Sequence, residues 1–180
     1  MSLIVRTNLA RVICFERRYD DALAEYRRIQ EMDANFPPLL FRLAELLELK
    51  GDFAQAIPLH QRWAMQISKA PTATSEQVEE HVEDALKREG PKGYWRARIE
   101  LMIAANKPGA DSTADIAFAY GQLGDKDKAF EWLSRAVNEN VQESAWMNAN
   151  PICDPLRSDP RWEQLLRRVG VTPVKVDVKQ

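Results

Sequence analysis

Gly51-Asp52-Phe53-Ala54-Gln55-Ala56-Ile57 is the stretch on which the reading of this chain turns. The same local order stands one period earlier in Arg18-Tyr19-Asp20-Asp21-Ala22-Leu23-Ala24-Glu25-Tyr26, where Ala22 matches Ala56. A third copy is Gly124-Asp125-Lys126-Asp127-Lys128-Ala129-Phe130-Glu131-Trp132-Leu133. Self-similarity at a period of about 34 residues marks stacked supersecondary units, each too small to bury its own apolar face. The chain is therefore expected to be a surface built by repetition, and the pattern does not name what that surface meets.

Outward from the quoted stretch, each unit reads as two antiparallel helices. A small residue in the first helix is followed twelve positions later by another in the second, as Ala44 and Ala56, then Ala117 and Ala129. Small side chains at both places let the helices cross closely, while large neighbours fill the sides. Those neighbours are Leu47, Phe53 and His60 in one unit and Tyr120 and Leu133 in the other. Gly51 and Gly124 fall at the turn, where a positive φ is most easily accommodated. Asp52 and Asp125 follow, placed to cap the amides that open the second helix.

The first unit carries Arg17 where the second has Gly51. Its first helix, about Leu3 to Arg17, shows Leu9, Ala10, Ile13 and Cys14 at helical spacing. Its second runs from about Asp20 to Glu31, and Asn35-Phe36-Pro37-Pro38 breaks the chain. The second unit covers about Pro38 to Lys69, with Pro58 expected to bend its second helix slightly. Ala56 and Ala129 stand a few positions further apart than two periods, so a degenerate third unit is placed over 75–109 with Ala85 and Ala97 as its small pair. Ala70 to Ser75 absorbs the extra length, Thr74 and Gln77 suit a capping box, and Glu89-Gly90-Pro91-Lys92-Gly93 turns the chain. Asn106-Lys107-Pro108-Gly109 ends the unit.

Four hairpins thus account for 1–143, and 144–170 reads as an irregular connection and a closing helix. Asp159-Pro160-Arg161-Trp162 has the form of an N-cap followed by proline in the first turn. Trp162, Leu165, Leu166 and Val169 give that helix one apolar side, which suits the end of an array. The tail 171–180 alternates apolar and polar residues and is expected to be flexible or strand-like.

Composition excludes several function classes. The 180 residues carry 25 Lys and Arg against 27 Asp and Glu, so no basic field exists to hold a nucleic-acid backbone. No apolar run reaches the roughly 20 residues of a membrane span, and no membrane contact by this segment is expected. The N-terminus lacks the apolar stretch of a secretory signal. Cys14 and Cys153 belong to no CxxC pattern and are expected to be buried thiols.

The repeated Gly-Asp-x-x-x-Ala and the aromatics that follow it resemble the tetratricopeptide repeat family over about Leu3 to Gln142. The ending Asp154 to Gly170, together with Gly124 to Leu133, is similar to the closing segment of tetratricopeptide modules at the C-termini of bacterial winged-helix regulators and serine/threonine kinases. The resemblance implies an all-α fold, a right-handed superhelix of antiparallel helix pairs with a C-terminal capping helix. It also implies a non-catalytic, partner-binding part of a larger signalling or regulatory protein. A cytoplasmic location is expected, or an extracytoplasmic one where the parent protein is membrane-anchored. Members that clamp chaperone C-termini present Lys and Asn on the inner helix faces. Here the equivalent positions are Thr7 and Arg11, Phe41 and Glu45, and Ala114 and Phe118, so that clamp is not carried over.

Other residues could hide chemistry. His60 takes the place of an aromatic in a helix seam, which favours packing. His81 lies among Glu79, Glu80, Glu83 and Asp84, but adjacent residues on a helix face different directions, so at most two ligands converge and no metal is expected. No serine stands in a Gly-x-Ser-x-Gly elbow and no phosphate loop is present, so neither enzyme activity nor a cofactor is expected. Trp63, Trp132 and Trp162 fall on apolar stripes, whereas Trp95 and Trp146 lie near breaks where an exposed aromatic could anchor a partner.

The expectation is a scaffold whose concave face, lined by first helices, grips a peptide or helix of another protein, with a homo-oligomer compatible with the pattern. Arg11, Phe41, Glu45, Glu48, Phe118 and Gln122 are assigned to that lining. Phe41 and Phe118 would supply apolar contact, Arg11 would meet an acidic group, and Glu45 with Glu48 a basic one. The competing expectation is a sensory module that binds a small ligand around Tyr94, Trp95 and Arg98 and adjusts an attached output domain.

Overall fold

Apolar residues spaced at three and four positions along most of the chain dictate helices, and helices are what form. The computed structural model describes residues 1–67, 75–105, 112–139 and 146–172, and all regular structure among them is helical. The elements are α1 (Leu3–Phe15), α2 (Tyr19–Met32), α3 (Pro37–Leu49), α4 (Phe53–Ile67), α5 (Ser75–Ala105), α6 (Ser112–Leu123), α7 (Lys126–Asn138), a 3-10 segment (Pro151–Leu156) and α8 (Pro160–Arg168). Two compact units divide the chain, Met1–Tyr94 and Trp95–Gln180.

In the first unit α1 packs on α2 and α3 on α4, and α3 also touches both α1 and α2. Ala10, Ala22, Ala44 and Ala56 are fully buried at the crossings. Around them Tyr26, Ile29, Leu39, Leu40, Leu43, Leu46 and Leu47 share one core. Each buried leucine or isoleucine contributes roughly 1.5–3 kcal/mol relative to exposure, so packing rather than propensity holds these short helices. α4 continues through Pro58. In the second unit α6 packs on α7, with Ala117 and Ala129 fully buried.

The hairpins close on one backbone device. Gly51 N–H donates to Glu48 O and Asp52 N–H to Leu47 O, with Gly51 at φ 78°. Gly124 and Asp125 repeat this with Gly121 O and Tyr120 O, at φ 91°. Arg17 and Arg18 do the same with Cys14 O and Ile13 O, and Arg17 holds φ 62°. The paired bonds satisfy carbonyls that a helix end leaves open. Asp125 then caps α7 by accepting from the Lys128 amide. Asp52 instead accepts from the Gln55 side chain.

α5 departs from the expected five-residue turn. Helical residues flank one break, Gly90, at φ 62° and ψ −147°, and Pro91 follows at once. A side chain built on Gly93 would stand 2.1 Å from the Ala85 carbonyl oxygen. In a continuous helix those residues would be about 12 Å apart, so the chain reverses at Gly90 and lays Gly93 against Ala85. The one-residue corner thus brings Gly93 against the Ala85 backbone, and Ala85 and Ala97 are both buried.

The connection over 146–159 holds a 3-10 segment, and α8 follows it. Asn150 caps the 3-10 segment through Ile152 N–H at 3.1 Å. That segment packs on α6, with Leu156 seated 3.1 Å from where a Gly121 side chain would begin. Asp159 caps α8 through Arg161 N–H at 3.0 Å, and α8 packs on α7 with Trp162, Leu165 and Leu166 buried. Ala70–Thr74 of the expected loop, the Asn106–Gly109 stop and the tail beyond 172 lie outside the described residues, and Ser75 is the first residue of α5.

Candidate functional site

α1 and α3 are first helices of successive hairpins, so Arg11 and Glu45, one repeat period apart, hold equivalent positions on neighbouring elements. Both are half-buried, as are Phe41 and Arg42. The Arg11 guanidinium lies 5.1 Å from the centre of the Phe15 ring, and that of Arg42 lies 5.1 Å from the Phe41 ring. Arg42 also donates to Glu45 Oε2 at 2.7 Å. The Phe41 ring is oriented by Trp63 at 4.9 Å and by the edge of His60 at 5.9 Å. Aromatic faces beside guanidinium groups combine apolar area with donors in a fixed fork, a combination suited to holding a carboxylate.

The charges converge on one edge of the core. Burial, then the Glu45 carboxylate, push the Cys14 thiol up to about 12, while Arg11, Arg17 and Arg42 oppose the shift. Burial and Glu45 likewise raise the Tyr26 hydroxyl, against Arg42 and Arg11. Arg11, Arg42 and Glu45 therefore lie close enough to this edge of the core to act on both side chains.

Glu48 is not part of this surface. Its side chain is 4% exposed, and its Oε1 accepts from Tyr94 Oη and lies 2.9 Å from His60 Nε2. A buried carboxylate is costly unless hydrogen-bonded, and these partners supply the compensation. Glu48 stands one period after buried Cys14, so the repeat turns this position inward. The cluster ties α3, α4 and Tyr94 together. Sequence predicts the packing role of His60 but not its acidic partner. The available signal is Leu46-Leu47-Glu48-Leu49, a lone charge inside an apolar run.

Phe118 and Gln122 do not line an open groove either. Phe118 is buried on α6, the helix that the 3-10 segment covers, and Gln122 Nε2 donates to Ile152 O at 2.8 Å. The chain's own closing segment occupies that helix, because Gly121 leaves a flat place for Leu156. At the expected small-ligand site Tyr94 is fully buried and hydrogen-bonded to Glu48, Trp95 is buried, and Arg98 is half-buried. Those two aromatics serve as core rather than as a pocket lining. Of the tryptophans near breaks, Trp146 is exposed and Trp95 is not. Arg11, Phe41 and Glu45 are the assigned residues that the structure brings to one accessible place.

Among the described residues no three His, Cys, Asp or Glu side chains gather where they could hold a metal ion, and no helix is long and apolar enough to cross a membrane. Residues 110–140, which contain α6 and α7, match the family model described as tetratricopeptide repeat. No curated protein and no solved structure matches the chain. The chain thus carries a tetratricopeptide repeat in its second unit, within an all-α fold of adjacent helix pairs. Repeats of this kind generally mediate protein–protein interaction.

Proposed function

We propose that this chain is a non-catalytic interaction module that takes a peptide or helix of a partner protein on the α1–α3 face of its first unit. One observation carries the reading: Arg11, Phe41, Arg42 and Glu45 are half-buried together on successive first helices, with aromatic rings beside the guanidinium groups. Guanidinium groups held beside aromatic rings favour an acidic residue on the ligand, and Phe41 favours an apolar neighbour of it. The fitting partner is an acidic amphipathic segment, bound with micromolar affinity of about −8 kcal/mol. The resemblance of Asp154–Gly170 to closing segments of regulator and kinase modules supports a place within a larger bacterial signalling protein.

The test is fluorescence anisotropy against an array of labelled peptides rich in Asp and Glu, interleaved with Leu and Phe. Arg11→Glu keeps a good helix former in α1 and inverts the charge. The expected result is a loss of affinity of about tenfold or more, equivalent to about 1.4 kcal/mol. Unchanged affinity, or tighter binding of basic peptides by the unaltered chain, overturns the reading.

A further inference from the structure

Arg42 and Glu45 pair at 2.7 Å with side chains only 16% and 18% exposed. Three ordinary roles do not account for this pair. Ion pairs on open helix faces, such as Arg167 with Glu163, are screened by water and contribute little, whereas this one is largely shielded. Helix electrostatics favours the acid before the base along the chain, and here the base comes first. Clasping of separate segments is the third role, and Arg157 shows it. Its guanidinium donates to Asp154 Oδ1, Asn148 Oδ1 and Asn150 O, which ties the connection to the 3-10 segment. The bond from Arg42 to Glu45 instead lies within one helix, three residues apart, and joins no two elements.

Arg42 is placed as a receptor for a carboxylate. Its guanidinium stands 5.1 Å from the centre of the Phe41 ring, which Trp63 and His60 hold in place. A guanidinium fixed beside a ring presents a planar fork that matches a carboxylate in shape and charge. The carboxylate on that fork is the chain's own. The repeat does not call for an acid there: the place of Glu45 is held by Arg11 in α1 and, with Ala129 aligned on Ala56, by Phe118 in α6. A second carboxylate arriving at the same fork would have to approach Glu45 where water screens little.

Resting on the reading that this face takes an acidic segment, we propose that Glu45 is an internal stand-in for the ligand's carboxylate, which holds the Arg42 fork closed until a partner displaces it. The device sets selectivity. A lone carboxylate only replaces Glu45 and gains no ion pair, whereas a segment that also lays an apolar side chain beside Phe41 gains burial. The partner is thus chosen for an acid with an apolar neighbour, and acidic segments without one are refused.

Fluorescence anisotropy of the full chain with two labelled peptides tests it. One interleaves Glu with Leu and Phe, and the other carries Gln in place of every Glu. Glu45→Gln keeps the size and the helix preference of the side chain. It should tighten binding of the Glu peptide about tenfold and leave the Gln peptide unchanged. Glu45→Ala, also a good helix former, should give the same gain. Adding Arg42→Gln to Glu45→Gln should remove it. A preference for the Glu peptide in the unaltered chain that Glu45→Gln fails to strengthen overturns this inference alone. A gain that survives Arg42→Gln also overturns it, because net charge and not the released fork would then be the cause. If neither the unaltered chain nor Glu45→Gln prefers the Glu peptide, the acidic reading of the face falls, and the inference with it.

Discussion

Arg17 and Gly51 hold the same place in the same turn of successive units, and both sit in the left-handed region at φ 62° and 78°. Glycine enters that region without penalty, whereas a side chain costs about 1–2 kcal/mol there. Arg17 recovers part of this by donating from Nη1 to Phe15 O at 3.1 Å. Arg17→Gly should therefore stabilise the chain, by about 0.5 kcal/mol after the loss of that bond and the greater freedom of unfolded glycine. Gly51→Ala should destabilise it by about 1 kcal/mol through backbone strain alone, since a side chain there meets nothing within 4 Å. Urea denaturation checks both: the midpoints should move in opposite directions at unchanged slope.

Gly93 gives a different kind of cost. Its φ is unremarkable, but a methyl group would lie 2.1 Å from one backbone atom of Ala85 and 2.8 Å from another, and backbone cannot swing aside. Gly93→Ala should cost about 3 kcal/mol or more. Hydrogen exchange should show amides around 82–94 losing protection before those of α1 and α2.

The Glu48 cluster should act as a unit. Tyr94→Phe removes one donor from a buried carboxylate and should cost about 1.5–3 kcal/mol. In Glu48→Gln the same tyrosine change should cost less, because the acceptor is no longer charged. A double-mutant cycle should return a coupling of about 0.5–3 kcal/mol, and a coupling near zero would mean that the bond does not support the fold.

Cys14 supplies a pH dependence. Its thiol is raised from 9.0 to about 12 by burial first and Glu45 second, so the folded chain holds its proton where the unfolded chain gives it up. Stability from this group is complete below about pH 9 and declines as pH rises from about 9 towards 12. Thermal melts between pH 8 and 10 should fall less steeply in Cys14→Ala than in the unaltered chain. Because Cys14 and Cys153 are both buried, a thiol reagent at pH 8 should label neither until the chain unfolds.

Local pattern made the hairpins legible. Ala44 with Ala56 and Ala117 with Ala129 marked the crossings, Gly51 and Gly124 the turns, and Asp159-Pro160 the start of α8. These features are set within a few residues, so sequence is enough to find them. The corner at Gly90 was placed but its tightness was not, because the depth of a turn depends on how closely Gly93 and Ala85 pack. The site was less legible for the same reason. Periodicity put Glu48 and Phe118 on the same helical positions as Cys14 and Glu45, but only tertiary packing decides which are covered. Tyr94 reaching back to Glu48, and Pro151–Leu156 lying on α6, are contacts that no repeat spacing encodes.

The central claim is that the accessible binding surface lies on α1 and α3 and carries Arg11, Phe41 and Glu45. Backbone amide shifts of the labelled chain, followed as an acidic amphipathic peptide from the array is added, test it most directly. The account predicts saturable shifts concentrated in residues 7–17 and 38–49, largely lost in Arg11→Glu. Shifts concentrated instead in α6, the 3-10 segment and α8, with α1 and α3 unmoved, would contradict it.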